Sequence, residues 1–262
     1  MTLDQWRRGM GTALAFTTFG LGGLCIGVLA APLLSVTTRD AEHRQRVARR
    51  LIQCCFRCFV ALMRALGVLD YRFEHVERLQ RPGLLVLANH PSLIDVVFLL
   101  AHMPQADCIV KGRLASNPFT RGPIRAAGYI TNSTPEAVLS AAKASLDRGN
   151  SLVLFPEGTR TAPQRPIKFR RGGANIALRT ATDITPVLIR CTPTTLTKGE
   201  PWYRIPARKV QLDLRVLDDL PVSQDNQQPT GQLARQLTRR LSDHFNRELE
   251  RFHHERDTRP GA

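Results

Sequence analysis

Between Arg8 and Arg39 the chain runs for 30 residues without a formal charge, GMGTALAFTTFGLGGLCIGVLAAPLLSVTT. About 20 helical residues are enough to cross a hydrocarbon core of about 30 Å, so any fold for this chain has to place this run in lipid. A cleaved signal peptide is the alternative, with Arg7 and Arg8 as its basic start. However, Pro32 follows Ala30 and Ala31 directly, and no small-x-small site precedes a mature start. Retention is therefore expected. Gly20, Gly22, Gly23, Gly27 and Pro32 weaken the run as a straight helix, which predicts a kinked or re-entrant anchor whose two ends share one side.

The charges around this run bear on partners. There are 37 basic against 22 acidic residues, a net charge of +15, and that balance asks for a polyanion: nucleic acid, an anionic membrane surface or phosphorylated ligands. Arg39, Arg44, Arg46, Arg49 and Arg50 crowd beside the apolar run, while 3 Tyr and 2 Trp leave little to stack on bases, so an anionic membrane is expected and nucleic acid is not. The same arginines outnumber Arg7 and Arg8. By the positive-inside rule the protein sits in the cell inner membrane with its C-terminal part facing the cytoplasm.

Residues 47–69 repeat Val47, Leu51, Cys54, Cys58, Leu62 and Leu66 at helical spacing with arginines between them. Two readings stand: a basic amphipathic helix in the headgroup layer, or a helix facing the core of the domain. Six cysteines show no framework of pairs, so reduced thiols are expected. Cys54, Cys55 and Cys58 lack a second ligand pair for a metal knuckle and are expected as packed residues of the apolar face, with no metal.

From Tyr71 onward short apolar runs alternate with helical stretches, the pattern of an α/β fold. Strands are predicted at 83–89, 107–111, 151–155, 184–189 and 209–217. Helices are predicted near 93–102 and 135–148, after Arg171, and along Leu233, Leu237, Leu241, Phe245 and Leu249. The division is residues 1–69 as anchor and basic helix, 70–252 as the globular domain, and 253–262 as a loose tail.

Two motifs stand where strands end. In Asn89-His90-Pro91-Ser92-Leu93-Ile94-Asp95, five steps of 100° set His90 and Asp95 about 140° apart on an ideal helix, so they meet only if His90 lies outside the helix with Pro91 at the turn. So placed, Asp95 would accept a hydrogen bond from one imidazole nitrogen and leave the other as a general base. The alternative is a capping loop with an incidental histidine. In Phe155-Pro156-Glu157-Gly158-Thr159-Arg160 a carboxylate, a glycine and an arginine stand together. Arginine grips phosphate with a fork of donors and glycine lets backbone approach a ligand, although each residue alone would also suit an ordinary turn. Ser92 lacks the Gly-x-Ser-x-Gly elbow, so a serine hydrolase is a minor reading.

Together NHPSLID and FPEGTR resemble the His-x-x-x-x-Asp and Phe-Pro-Glu-Gly-Thr-Arg signatures of the glycerolipid acyltransferases typified by bacterial 1-acylglycerol-3-phosphate acyltransferases. They follow each other in that order, 65 residues from His90 to Phe155. The similarity extends to Lys111, Gly122, Phe169-Arg170-Arg171-Gly172 and Thr185-Pro186-Val187, covering residues 70–220 or so. The resemblance implies a mixed, largely parallel sheet flanked by helices and held on a membrane by N-terminal helices. It implies transfer of a fatty acyl group from acyl-CoA or acyl carrier protein to the hydroxyl of a lysophospholipid, with no cofactor beyond the donor. It assigns His90 and Asp95 to catalysis and Glu157 and Arg160 to the acceptor; Asn89, Lys111, Gly158 and Thr159 in the same motifs, with Arg125 and Asn132 near the second block, are further candidate substrate contacts.

One departure stands out. The family's second block usually ends in an arginine that helps bind the acceptor phosphate, and Asn132 stands at that place. Either Arg121 or Arg125 substitutes, or the acceptor is not a glycerol phosphate. A non-catalytic lipid-binding protein is the reading from another class, against which both motifs are complete.

Overall fold

The computed structural model describes residues 2–163, 165–222 and 230–258. Helix α1 (Leu3–Cys25) opens on a capping box between Thr2 and Gln5 and continues through one π-helical turn (Ile26–Ala30) into α2 (Ala31–Thr37). The π turn, closed by the Ala31 N–H on the Ile26 carbonyl, accommodates Pro32, which lacks a donor and would otherwise crowd the turn before it. The anchor is therefore one continuous helical run of 35 residues, about 50 Å of helix at 1.5 Å per residue, interrupted by the π turn; of the kinked or re-entrant forms expected, the re-entrant one is not found.

The glycines explain the difference. Gly11, Gly20, Gly23 and Gly27 lie on the face that meets the domain, while Gly22 faces open space. A Cβ on Gly11 would sit 3.0 Å from Val68, and one on Gly23 2.1 Å from the Phe119 carbonyl oxygen; Gly27 and Gly122 face each other so closely that a Cβ on Gly122 would be 2.2 Å from the Gly27 Cα. They permit close approach instead of loosening the helix. The face turned away stays bare, with only 6% of the most apolar window buried, which suits membrane association.

After a turn, Asp40 caps α3 (Ala41–Ala65) through the N–H groups of Glu42 and His43. Phe19 of α1 stacks on Phe56 of α3 and meets the tilted ring of Phe59 on the same helix. Of the two readings for this helix the core-facing one holds, because Ala48, Arg49, Ile52, Val60 and Met63 are buried. Cys54, Cys55 and Cys58 are exposed, contrary to expectation. The buried line is rotated because Arg49 belongs to it: its guanidinium reaches Asp107 Oδ2 at 3.0 Å and the Ala127 carbonyl at 2.9 Å, which no count of apolar residues anticipates.

The domain is a seven-stranded sheet in the order β1-β7-β6-β2-β5-β3-β4. Its strands are β1 (Leu69–Glu74), β2 (Leu85–Ala88), β3 (Ala106–Lys111), β4 (Ile130–Asn132), β5 (Ser151–Leu154), β6 (Ile184–Thr192) and β7 (Val210–Val216). Every pairing is parallel except β6 with β7. This is the mixed, largely parallel sheet flanked by helices.

Side chains alternate across the sheet. Val86, Ala88, Val153 and Val187 face the layer of α3 and α4 (Asp95–His102). After α4 come the short helices α5 (Gly112–Ser116) and α6 (Arg121–Ala127), and Leu85, Leu87, Leu152 and Leu188 face α7 (Pro135–Asp147), α8 (Gly172–Thr180) and α9 (Thr230–Asp257). Both faces are covered, which is why the central strands read as unbroken apolar runs. Helix α9 continues through Asp257, five residues into the stretch expected as a loose tail, since Phe252 is buried and Arg256 pairs with Glu74. Residues 259–262 of that tail lie outside the described residues.

Candidate active site

Strands β2, β3, β4 and β5 run in the same direction, so their C-terminal ends form one edge, where α/β sheets collect ligands. His90 follows β2 by two residues and stays outside α4, which begins at Asp95. The turn through Pro91 brings His90 Nδ1 to 2.8 Å from Asp95 Oδ2. The Ser92 backbone N–H donates to the same oxygen at 2.7 Å. Asp95 is wholly buried, while the His90 side chain keeps 17% of its surface open. Burial pushes the Asp95 carboxyl above its ordinary range, opposed by the hydrogen bonds from His90 and Ser92.

The rest of the clamp comes from the second motif. The Phe155 ring stacks on the imidazole at 4.1 Å between centroids. The His90 N–H donates to Thr161 Oγ1 at 2.9 Å and Glu157 Oε1 at 3.1 Å, and the Thr161 hydroxyl donates to Glu157 Oε1 at 2.5 Å. The Thr161 N–H returns to the His90 carbonyl at 2.7 Å. Burial raises the Glu157 carboxyl, with Thr161 and His90 acting against it. With backbone, ring face and Nδ1 all held, Nε2 is left to act on a ligand. Phe155 and Thr161 are the contacts that sequence reasoning missed; Thr161, directly after the motif, carried no signal on its own.

Other expected residues have different roles. Asn89 is buried and holds β6, its Nδ2 donating to the Ile189 carbonyl at 2.7 Å and its Oδ1 accepting from the Ile189 N–H at 2.7 Å, so its amide faces no substrate. Arg160 donates to the carbonyls of Leu196 at 2.5 Å and Thr197 at 2.8 Å, which ties the second motif to the loop between β6 and β7. Gly158 takes φ of +68° in the motif's turn, against the Arg170 side chain. Thr159 is half-buried beside it. Lys111 and Asn132 are exposed neighbours at the ends of β3 and β4. Arg125, on α6 (Arg121–Ala127), lines instead a cavity shared with the anchor. Ser92 is fully buried, so it offers no nucleophile.

Known proteins resemble this chain in sequence and in fold. Residues 70–190 match the protein family described as Acyltransferase. A 1-acyl-sn-glycerol-3-phosphate acyltransferase of Helicobacter pylori is 29% identical over 155 residues, 56% of this chain and 61% of that one. The enzyme of the same name from Saccharomyces cerevisiae is 24% identical over 197 residues, 71% of this chain and 63% of that one. This chain thus spans less than two thirds of the length of these relatives. The crystal structure of the 1-acyl-sn-glycerophosphate acyltransferase PlsC from Thermotoga maritima superposes with a TM-score of 0.62 at 19% identity, covering 90% of this chain and 97% of that one, a likeness of fold.

Proposed function

We propose that the Acyltransferase-family domain at residues 70–190 makes this protein an O-acyltransferase, which moves a fatty acyl group from acyl-CoA or acyl carrier protein to the hydroxyl of 1-acylglycerol-3-phosphate. The observation that carries the reading is the 2.8 Å contact from His90 Nδ1 to a fully buried Asp95, with Nε2 left free beside the strand ends. His90 Nε2 takes the proton of the acceptor hydroxyl as its oxygen attacks the thioester carbonyl carbon. The carbon–sulfur bond breaks, the ester forms, and the imidazolium returns the proton to the departing thiolate. Asp95 holds the tautomer and stabilises the imidazolium between the two steps. No acyl-enzyme forms, which agrees with the burial of Ser92.

Glu157 and Thr161 hold the His90 backbone, and Arg160 fixes the loop at Leu196 and Thr197. Lys111 beside Asn132 supplies a cation for the acceptor phosphate, in place of the arginine usual there. The bare face of α1 and α2 seats the domain on the bilayer, and the arginines that follow it favour the cytoplasmic face of the inner membrane.

Arg125's place by the anchor favours a second reading, in which the same chemistry serves an acceptor without glycerol phosphate. Measuring kcat/KM for lysophosphatidic acid in wild type and Asn132→Arg separates the two. The first reading expects a good wild type little changed by the substitution. A poor wild type improved roughly ten- to a hundredfold, the worth of one charge-assisted contact, would establish the second.

A further inference from the structure

A cavity of about 500 Å³ lies between the end of the anchor and α6. One wall is apolar: Gly27, Ala31 and Leu34. The other carries Arg44, Arg121 and Arg125. Two arginines of the Arg44 helix outside it are paired, Arg46 with Asp40 and Glu42, and Arg49 with Asp107. Among the described residues Arg121 and Arg125 have no carboxylate partner, and Arg44 donates to the Thr38 carbonyl alone at 3.1 Å. Three arginines lining one space bring like charges together, Arg121 and Arg125 with their side chains exposed, and a phosphate that accepts from their forked donors offsets the repulsion.

We propose that this cavity is a second binding site, for the phosphate-bearing headgroup of an anionic membrane phospholipid. The same turns of helix that form its apolar wall expose Val28, Leu29, Leu33 and Val36 on their outer side, so the cavity opens at the level of the lipid. The apolar wall receives the glycerol and the first methylenes while the arginines hold the phosphate. The volume suits a single headgroup. None of its lining residues belongs to the His90 cluster, so occupancy locks the anchor to the domain without entering the reaction.

The test is thermal unfolding of the full chain in a neutral detergent, titrated separately with dioleoylphosphatidylglycerol, dioleoylphosphatidylcholine and coenzyme A. Phosphatidylglycerol should raise the Tm saturably, by about 5–10 °C when present at roughly a hundred times its Kd, and phosphatidylcholine should not. Arg121→Gln/Arg125→Gln should abolish the rise, while Arg235→Gln/Arg239→Gln on α9, which removes the same charge elsewhere, should keep it. An equal rise in both double variants, or none in wild type, overturns the proposal. So does a rise with coenzyme A alone that the α6 variant loses, since the donor's phosphates would then be the occupant. As an independent reading, native mass spectrometry of protein extracted from membranes should find phosphatidylglycerol on wild type and little on Arg44→Gln; equal retention contradicts the site.

Discussion

The catalytic edge and the anchor seam hold opposite ends of the same loop between β6 and β7, and they are built differently. At the catalytic edge Arg160 takes the carbonyls of Leu196 and Thr197. At the seam Arg8, itself buried, takes those of Pro206, Ala207 and Arg208 while pairing with Asp4. Around Arg160 the other contacts are mainly hydrogen bonds that hold His90, with the Phe155 ring stacked on the imidazole, so a change there should alter chemistry before stability. Around Arg8 the remaining contacts are backbones brought together by glycine and a few aromatic rings, so a change there should alter stability before chemistry.

The largest test of this contrast is Asp95→Asn. It should lower kcat by on the order of 10²- to 10⁴-fold, because the neutral amide no longer stabilises the imidazolium, while Tm changes little. A folded Asp95→Asn protein with wild-type kcat would erase the difference between the regions. At the seam, Gly23→Val places a Cβ where the Phe119 carbonyl already is, 2.1 Å away. It should cost about 1–3 kcal/mol, a fall in Tm of roughly 2–12 °C, with little change in the kcat of the folded protein.

The smallest effect sharpens the catalytic side. Burial raises the Asp95 pKa on folding, so the folded state binds its proton more tightly than the unfolded chain. Stability from this group is present below the unfolded pKa and is lost as pH rises through the folded one. Asn at this position removes that loss. The Tm of Asp95→Asn relative to wild type should therefore be more favourable at pH 7.5 than at pH 4; the opposite trend would mean that Asp95 gains more from its donors than it loses by burial.

Sequence and structure agree unevenly along the chain, for physical reasons. The central strands were legible because both their faces are buried, so Leu85-Val86-Leu87-Ala88 reads as a continuous apolar run. The short strand β4 and the strand β1 were not, since only one residue of each is buried. The meeting of His90 with Asp95 follows from helix geometry once Pro91 is placed at the turn, and the structure places it so. What escaped were contacts set by tertiary approach. Thr161 reaches His90 across 71 residues, Arg49 finds Asp107 across 58, and the anchor glycines have a purpose only once Phe119 and Gly122 stand opposite them. A glycine in an apolar run weakens an isolated helix and admits a neighbour to a packed one, and sequence alone supplies the first meaning.

If His90 is the base of an acyl transfer to a lysolipid hydroxyl, the rate of phosphatidic acid formation from lysophosphatidic acid and a long-chain acyl donor must depend on it, and wild type is compared with His90→Ala. Wild type should form product, and a His90→Ala protein whose circular dichroism is unchanged should lose about 10²-fold or more in kcat. A folded His90→Ala protein that forms phosphatidic acid at close to the wild-type rate would contradict that role.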